Sequence, residues 1–546
     1  MSFFEGVFIT QDFWKKINIP ARKRRQVFEN YFGKRKLKIE NTDEAISYLR
    51  TILDNIQVEM INTISAGNTK RVIFELFKIH DICFKNYIWE KQDREKLVDN
   101  RITSAHVQEV YGTNRNIAQD LLYGINIWLE NSVLLQQKMD ENFNVHQSNV
   151  DVDLCLLVYV YGTVSRSLSF LALSKKMKNV NLYYGIEILP QNSMPINVLR
   201  YHPVIYYNPL MAGNQRIFAL EADDYKNMDN TDFGKGFLSE HGISILESLR
   251  VFRTFQKYDL DNGNVACLPM NKNAFLARVD EMTNKVGFGE KMLETFSLDK
   301  DKMKSSLAKN DPIIWKAGVN KYRFELRPIV LLEDNTVCIS HEAFEQAIQI
   351  WTSLFANGGT AYTDVKDCFI EGEEKQNSEL SDKLVKMIVS SLEEKYPDNF
   401  CDTDVEYDRI FGSRGIDYGD YDIVFYAKKQ KELFLIESKY FSDSLNNSGH
   451  INDYDKMYKP RGYYEHCRKR YDLVLENPTE MKKFVGANES INMHCLFVSS
   501  KPLELELQDD DHVVTIVPLC IFKQYLDGKL VSEEDENIVI RPTISI

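Results

Sequence analysis

The sequence predicts an α+β chain of more than one domain: a largely helical N-terminal region, then a C-terminal unit ordered helix, three strands, helix, strand. Three observations carry this reading. The chain has 546 residues, more than one hydrophobic core organises. Residues 43–140 repeat apolar side chains at three-to-four spacing, the period of helices with one buried face. Residues 423–426 and 433–436 are unbroken apolar runs joined by the short link AKKQKE, the pattern of neighbouring buried strands.

Taken in order, Ile46, Leu49, Ile52, Leu53, Ile56, Met60 and Ile64 mark the first periodic helix, and residues 116–139 repeat the pattern. The polar stretch ENFNVHQSNVDV at 141–152 is read as a boundary. Residues 154–173 form the most apolar window, but Arg166 and several hydroxyl side chains interrupt it. A buried helix is therefore expected there rather than a membrane span. A Pro- and Tyr-rich irregular region at 188–210 follows, then an amphipathic helix in GISILESLRVFRTFQKY. Residues 323–340 read as two strands around a Glu-Asp-Asn turn. Asn357-Gly358-Gly359 is the strongest linker signal. These readings give domains at 1–145, 146–358 and 360–546. In the last, residues 376–396 are a helix that Asn377 or Ser378 can cap. A strand is expected at 404–410, then the two apolar strands, a polar aromatic helix at 454–476 whose first part Pro460-Arg461-Gly462 interrupts, and strands at 493–500 and 512–519.

The composition is globular, and its charge is uneven. Residues 360–546 hold 37 acids against 23 bases, whereas the preceding part is nearly balanced. The C-terminal unit would repel a polyanion overall, so contact with one needs local bases or metal ions. Nine cysteines without a CxxC pair indicate neither a zinc site nor a disulfide framework. No GxxxxGK[ST] is present, so no P-loop is encoded. The opening MSFFEGVFITQDFW lacks signal-peptide features, and a cytoplasmic location with no membrane partner is expected.

The strands at 423–426 and 433–436 end in charge. Asp422 opens the first; Glu437 and Lys439 close the second. Residues two apart on a strand share a face, so Glu437 and Lys439 project together, and a hairpin brings Asp422 beside them. Carboxylates at strand ends are costly unless paired or bound to a cation. Two of them with an ammonium suit Mg²⁺ or Mn²⁺, whose hard oxygen ligands leave positions for water and phosphate. The ammonium suits an attacking water or the charge of a phosphoryl transition state. The alternative is a rim salt bridge between Asp422 and Lys439. At that strand end Glu437 repels Asp422, so its removal is expected to cost little stability.

Asp422, fourteen residues, then Glu437-Ser438-Lys439, with flanking strands and a preceding acidic helix, resembles the PD-(D/E)xK nuclease superfamily. The resemblance covers roughly the last third of the chain. It implies a restriction-endonuclease-like α-β-β-β-α-β core and a Mg²⁺-dependent nuclease with Asp422, Glu437 and Lys439 catalytic. The helical acid of the family falls on Glu379, with Glu374 the alternative, so the implied metal ligands are Asp422, Glu437 and Glu379. No Pro precedes the Asp, and Asp420 is a further alternative ligand. The later helix offers Tyr464, Arg468 and Tyr471, Arg468 toward nucleic acid. Such architectures resemble bacterial restriction and phage-defence effectors, with DNA favoured over RNA as substrate. The competing reading is an inactive nucleic-acid-binding or scaffold protein that keeps the fold.

Residues 14–38 hold ten bases and one acid, interleaved with Phe28, Tyr31 and Phe32. Bases with aromatics suit phosphate contact plus base stacking, which singles out Arg22, Lys23, Arg24 and Arg25. A solvated helix with its apolar side buried is the alternative. Cutting a duplex takes two sites or two encounters, so the N-terminal region is expected to build a homo-oligomer and to meet a protein partner or phage trigger.

Overall fold

A computed structural model describes residues 14, 17, 19–33, 37–39, 42–66, 69–99, 105–136, 150–174, 180–181, 186–188, 227–260, 267–306, 322–357, 367–415, 418–441, 453, 456–501, 513–530 and 539–546. Over these the protein is α+β. It divides into two compact units, Met1–Met194 with Glu221–Phe355 and Thr360–Gly372, and Pro195–Leu220 with Ala356–Gly359 and Glu373–Ile546. The expected boundary at 141–152, the irregular region at 188–210 and the Asn357-Gly358-Gly359 linker lie mostly outside the described residues.

The first unit begins with helices α1 (Ala21–Phe32), α2 (Thr42–Ala66), α3 (Thr69–Asp99), α4 (Ala105–Leu134) and α5 (Val152–Ser174). The periodic residues of α2 do what their spacing requires: Leu49, Leu53, Ile56, Met60 and Ile64 are all buried along one face. The apolar window at 154–173 is α5, which packs against α2 and α4. Among the described residues no helix is long and apolar enough to cross a membrane. Two glycines let α4 and α5 touch backbone to backbone. A Cβ on Gly162 would lie 1.8 Å from the Asp120 carbonyl oxygen, and one on Gly124 2.3 Å from that of Val158. Strands β1 (Leu37–Ile39), β2 (Val180–Asn181) and β3 (Ile186–Ile188) form a small sheet in the order β1-β3-β2.

The unit continues with α6 (Asp232–His241), α7 (Ile245–Phe255), β4 (Leu268–Asn271), α8 (Lys272–Thr283), α9 (Phe288–Phe296), β5 (Ser297–Leu298), α10 (Lys300–Ser306), β6 (Ile329–Leu331), β7 (Thr336–Ile339) and α11 (His341–Asn357). The Glu-Asp-Asn turn joins β6 to β7 as the sequence predicts. Asn335 takes the left-handed backbone there (φ 63°), a conformation Asn tolerates better than most residues.

Helix α12 (Asp367–Lys395) begins in the first unit and passes into the second at Glu373, and the second unit carries the rest: β8 (Asn399–Glu406), α13 (Tyr407–Phe411), β9 (Asp420–Ala427), β10 (Glu432–Lys439), α14 (Tyr463–Glu476), α15 (Pro478–Val485), β11 (Asn492–Ser499), β12 (Thr515–Pro518), α16 (Leu519–Leu526) and β13 (Ile544–Ser545). Two expectations are corrected. The first helix runs on from Asp367, so Asn377 and Ser378 are interior rather than caps. The first strand lies at Asn399–Glu406, and residues 407–411 turn into a short helix. The polar aromatic helix is interrupted at Pro460-Arg461-Gly462 as the sequence predicts, and its main part runs from Tyr463 to Glu476.

The sheet order is β12-β11-β10-β9-β8, with β13 also pairing β11. Strands β8, β9 and β10 are antiparallel neighbours, while β10, β11 and β12 run parallel. Parallel pairing of β10 with β11 needs a crossover, which α14 and α15 occupy. Both faces are covered, so both sets of alternating side chains are apolar. Ile423, Phe425, Phe434 and Ile436 share a core with Leu384, Ile388 and Leu392 of α12. Val424, Tyr426, Leu433 and Leu435 share another with Cys467, Tyr471 and Val474 of α14. This two-sided burial is the physical reason for unbroken apolar runs.

Candidate active site

The apolar runs end where the sheet meets charge. Pairing of β9 with β10 closes at Ile423 beside Ile436, and one step outward sets Asp422 beside Glu437. On the other side of β9, Thr403 pairs Ile423 and Val405 pairs Tyr421, which sets Asp404 beside Asp422. Three carboxylates thus stand in a row across three strands. The backbone is irregular at this step. Asp404 has φ 52°, and Tyr421 packs in the core of Val424 and Tyr426, where strict alternation would send it to the opposite face. Irregular steps of this kind re-aim side chains at a sheet end.

Asp422 is nearly buried and accepts from three donors. Its Oδ2 receives the Ser438 backbone N–H (2.5 Å), the Ser438 hydroxyl (3.3 Å) and Lys439 Nζ (3.0 Å). Lys439 Nζ also lies 2.7 Å from Glu437 Oε1. Asp422, Glu437 and Lys439 therefore converge as their strand positions predict. Burial alone would lower the Lys439 pKa, but the Glu437 and Asp422 carboxylates hold it above its ordinary value. The lysine is held as a cation.

Glu437 has a second partner that sequence reasoning missed. Arg470 of α14 donates through Nη2 to Glu437 Oε2 and through Nη1 to the Asp420 carbonyl. Its guanidinium lies 5.4 Å from the Tyr421 ring, and the Tyr421 hydroxyl donates back to the Arg470 carbonyl (3.1 Å). The residue is 4% exposed. Burial would lower its pKa, yet Glu437 beside it holds the guanidinium firmly charged.

The carboxylates that converge closely enough for a shared cation are Asp404, Asp420 and Asp422. One ligand oxygen from each lies within 4.8 Å of the others, and no other such group occurs among the described residues. Asp404 and Asp420 are exposed, so the cluster opens to solvent. Partial burial and the like charges of Asp422, Asp420 and Asp382 push the Asp404 carboxyl up. Three oxygen donors this close together can hold a hard divalent ion. Asp420, an alternative ligand in the sequence, belongs to this group; Asp404 was not foreseen.

Glu379 and Glu374 are exposed on α12 and stand outside the group. The α12 acid whose charge acts on Asp404 is Asp382, one turn beyond Glu379. Arg468 lies 3.7 Å from Asp472 on its own helix.

In the first unit, Arg22, Lys23 and Arg25 are exposed on α1, and Arg24 covers the Trp14 ring at 4.9 Å. Lys23 lies 3.9 Å from Asp153, and Arg25 lies 2.7 Å from Glu29. Of the interleaved aromatics Phe28 is buried, and Tyr31 and Phe32 are half-buried against the core. Phe28 is buried against Tyr159, Phe32 packs toward Tyr48, and the Tyr31 hydroxyl donates to Glu59. An amphipathic helix over a core must bury its rings and leave its bases in water.

Comparison with family models, with curated proteins and with solved structures finds no match for this chain.

Proposed function

We propose that the second unit is a metal-dependent nuclease of the PD-(D/E)xK type, hydrolysing phosphodiester bonds with DNA preferred over RNA. The observation that carries the reading is Lys439, hydrogen-bonded to Asp422 and ion-paired with Glu437 at the end of two paired buried strands. The element order α12, β8, β9, β10, α14, β11 supports it, since the family core runs α-β-β-β-α-β.

The donor set fits the implied cation. Asp404, Asp420 and Asp422 offer hard oxygens at a solvent-facing edge, and their mutual repulsion is what a bound Mg²⁺ or Mn²⁺ relieves. When bound, the ion supplies Lewis acidity toward a phosphate oxygen and lowers the pKa of a coordinated water. The chain's own residues do the rest. Asp422, tied to the Ser438 N–H and to Lys439, is fixed in orientation before any ligand arrives. Lys439, held charged, can donate to a nucleophilic water or to the developing charge on phosphorus oxygens. Arg470 keeps Glu437 in place beside it.

The test is direct. Purified full-length protein with Mg²⁺ or Mn²⁺ nicks or degrades plasmid DNA, loses activity in chelator, and is inactive as Asp422→Asn. Absence of cleavage on DNA and RNA under all metal conditions would discard the reading. One observation favours the scaffold alternative: both Glu437 oxygens are occupied, by Lys439 and Arg470. An inactive chain that still binds nucleic acid is the result that supports it.

A further inference from the structure

We propose that Arg470 is a positioning residue that takes Glu437 out of the metal-ligand set, so that the site holds a single divalent cation on Asp404, Asp420 and Asp422. The inference rests on the metal-dependent reading above and concerns how many ions that site takes.

Arg470 is built into the fold rather than laid on its surface. Cys467, Tyr471 and Val474 of α14 pack in the core under the sheet, and Arg470 is buried with them. Its fork has two fixed acceptors on two strands, Glu437 Oε2 on β10 and the Asp420 carbonyl on β9. Gly419 leaves room for this approach. A Cβ there would stand 3.3 Å from Arg470 Nη1, and the backbone has φ +73°, which a side chain resists. Tyr421 closes the clamp, with its ring under the guanidinium and its hydroxyl on the Arg470 carbonyl. A planar, permanently charged guanidinium suits such a two-acceptor site better than lysine does.

The consequence for Glu437 is chemical. Its Oε2 is held by Arg470 and its Oε1 lies 2.7 Å from Lys439 Nζ, in a pocket that leaves the residue 7% exposed. To coordinate an ion, the carboxylate would have to share or give up a charged partner, Lys439 at Oε1 or the buried Arg470 at Oε2, and stranding the buried guanidinium is strongly unfavourable. The charges leave room for a cation. Asp404, Asp420, Asp422 and Glu437, with Asp382 close enough to act on Asp404, outnumber the cations Lys439 and Arg470. Arg470 thus does in the apo protein what a second ion would do, and it does so permanently.

The experiment is Mn²⁺ titration of the full chain by calorimetry, with manganese electron paramagnetic resonance as a second readout. The wild type is expected to bind one Mn²⁺ tightly, and Asp422→Asn to lose it. Glu437→Gln keeps that single ion but weakens it roughly 10-fold to 100-fold, the usual cost of disturbing an outer-shell partner. Arg470→Gln frees Glu437 and admits a second Mn²⁺, while Arg470→Lys returns the count toward one. Two tight ions in the wild type, or loss of the ion in Glu437→Gln, overturn this inference alone. If Arg470→Gln fails to fold, the wild-type count and Glu437→Gln decide between these outcomes. A chain that binds no Mn²⁺ and cuts nothing overturns the metal-dependent reading, and this inference with it.

Discussion

Asp404 and Asp422 stand side by side on antiparallel neighbours, and with Asp420 they bring three carboxylate oxygens within 4.8 Å of one another. Burial and these like charges raise the Asp404 pKa, so its ionised form is strained in the folded protein.

Relieving that strain has two expected effects. Asp404→Asn raises the thermal midpoint of the metal-free protein at neutral pH, because one repelling charge is gone. Mn²⁺ raises the wild-type midpoint by binding the folded state, and raises that of Asp404→Asn less. Scanning fluorimetry with and without Mn²⁺ checks both. A midpoint that ignores Mn²⁺ in the wild type would count against a cation at this cluster.

Glu437→Ala is expected to destabilise the second unit by about 3–5 kcal/mol, since it strands the buried Arg470 charge. The sequence expectation was a small cost, from a carboxylate at a strand end repelling Asp422. The ion pairs to Arg470 and Lys439 reverse it. Chemical denaturation of the variant decides, and the double variant Glu437→Met with Arg470→Met should recover much of the loss.

Gly162→Ala should lower the stability of the first unit by about 1–3 kcal/mol, the usual cost of overpacking, because the new methyl meets the Asp120 carbonyl at 1.8 Å. The α4–α5 pair must then move apart. Ala at the exposed Gly33 of the same unit, whose added Cβ meets nothing within 4 Å, tests strain from its φ of +75° without any clash. Circular dichroism melts of the two variants separate the causes, with the larger loss expected at Gly162.

His494 should make the second unit acid-sensitive. Its ring is buried, stacked 4.4 Å from Phe434, with Nδ1 2.9 Å from the Tyr525 hydroxyl and Nε2 3.8 Å from Glu432. Burial first, then the Arg541 cation, hold its pKa below the ordinary 6.5, while Glu432 pulls the other way. A depressed folded pKa means the unfolded chain binds the proton more readily. Its contribution to stability is therefore present above 6.5 and lost as pH falls through the lower folded value. Melts from pH 8 to pH 5 should decline more steeply in the wild type than in His494→Gln.

The parts of this protein legible in its sequence are those set by local periodicity. A helix repeats every 3.6 residues and a strand every two, so the buried faces of α2 and α12 and the apolar runs of β9 and β10 could be read directly. The convergence of Asp422, Glu437 and Lys439 followed as well, because a short hairpin fixes which strand ends meet. The partners of that trio were decided only by the tertiary structure. Asp404 reaches Asp422 through the register of a third strand, and periodicity along one strand says nothing about register with another. Arg468 and Arg470 lie about 200° apart around their helix, so the side of α14 that meets the sheet selects between them. The aromatics of α1 turned inward for the same reason: a core beneath one face draws in the apolar side chains and leaves the bases in water. Local pattern determined which residues stood at the edge of the sheet. Only the packing of distant segments decided which charges each of them would face.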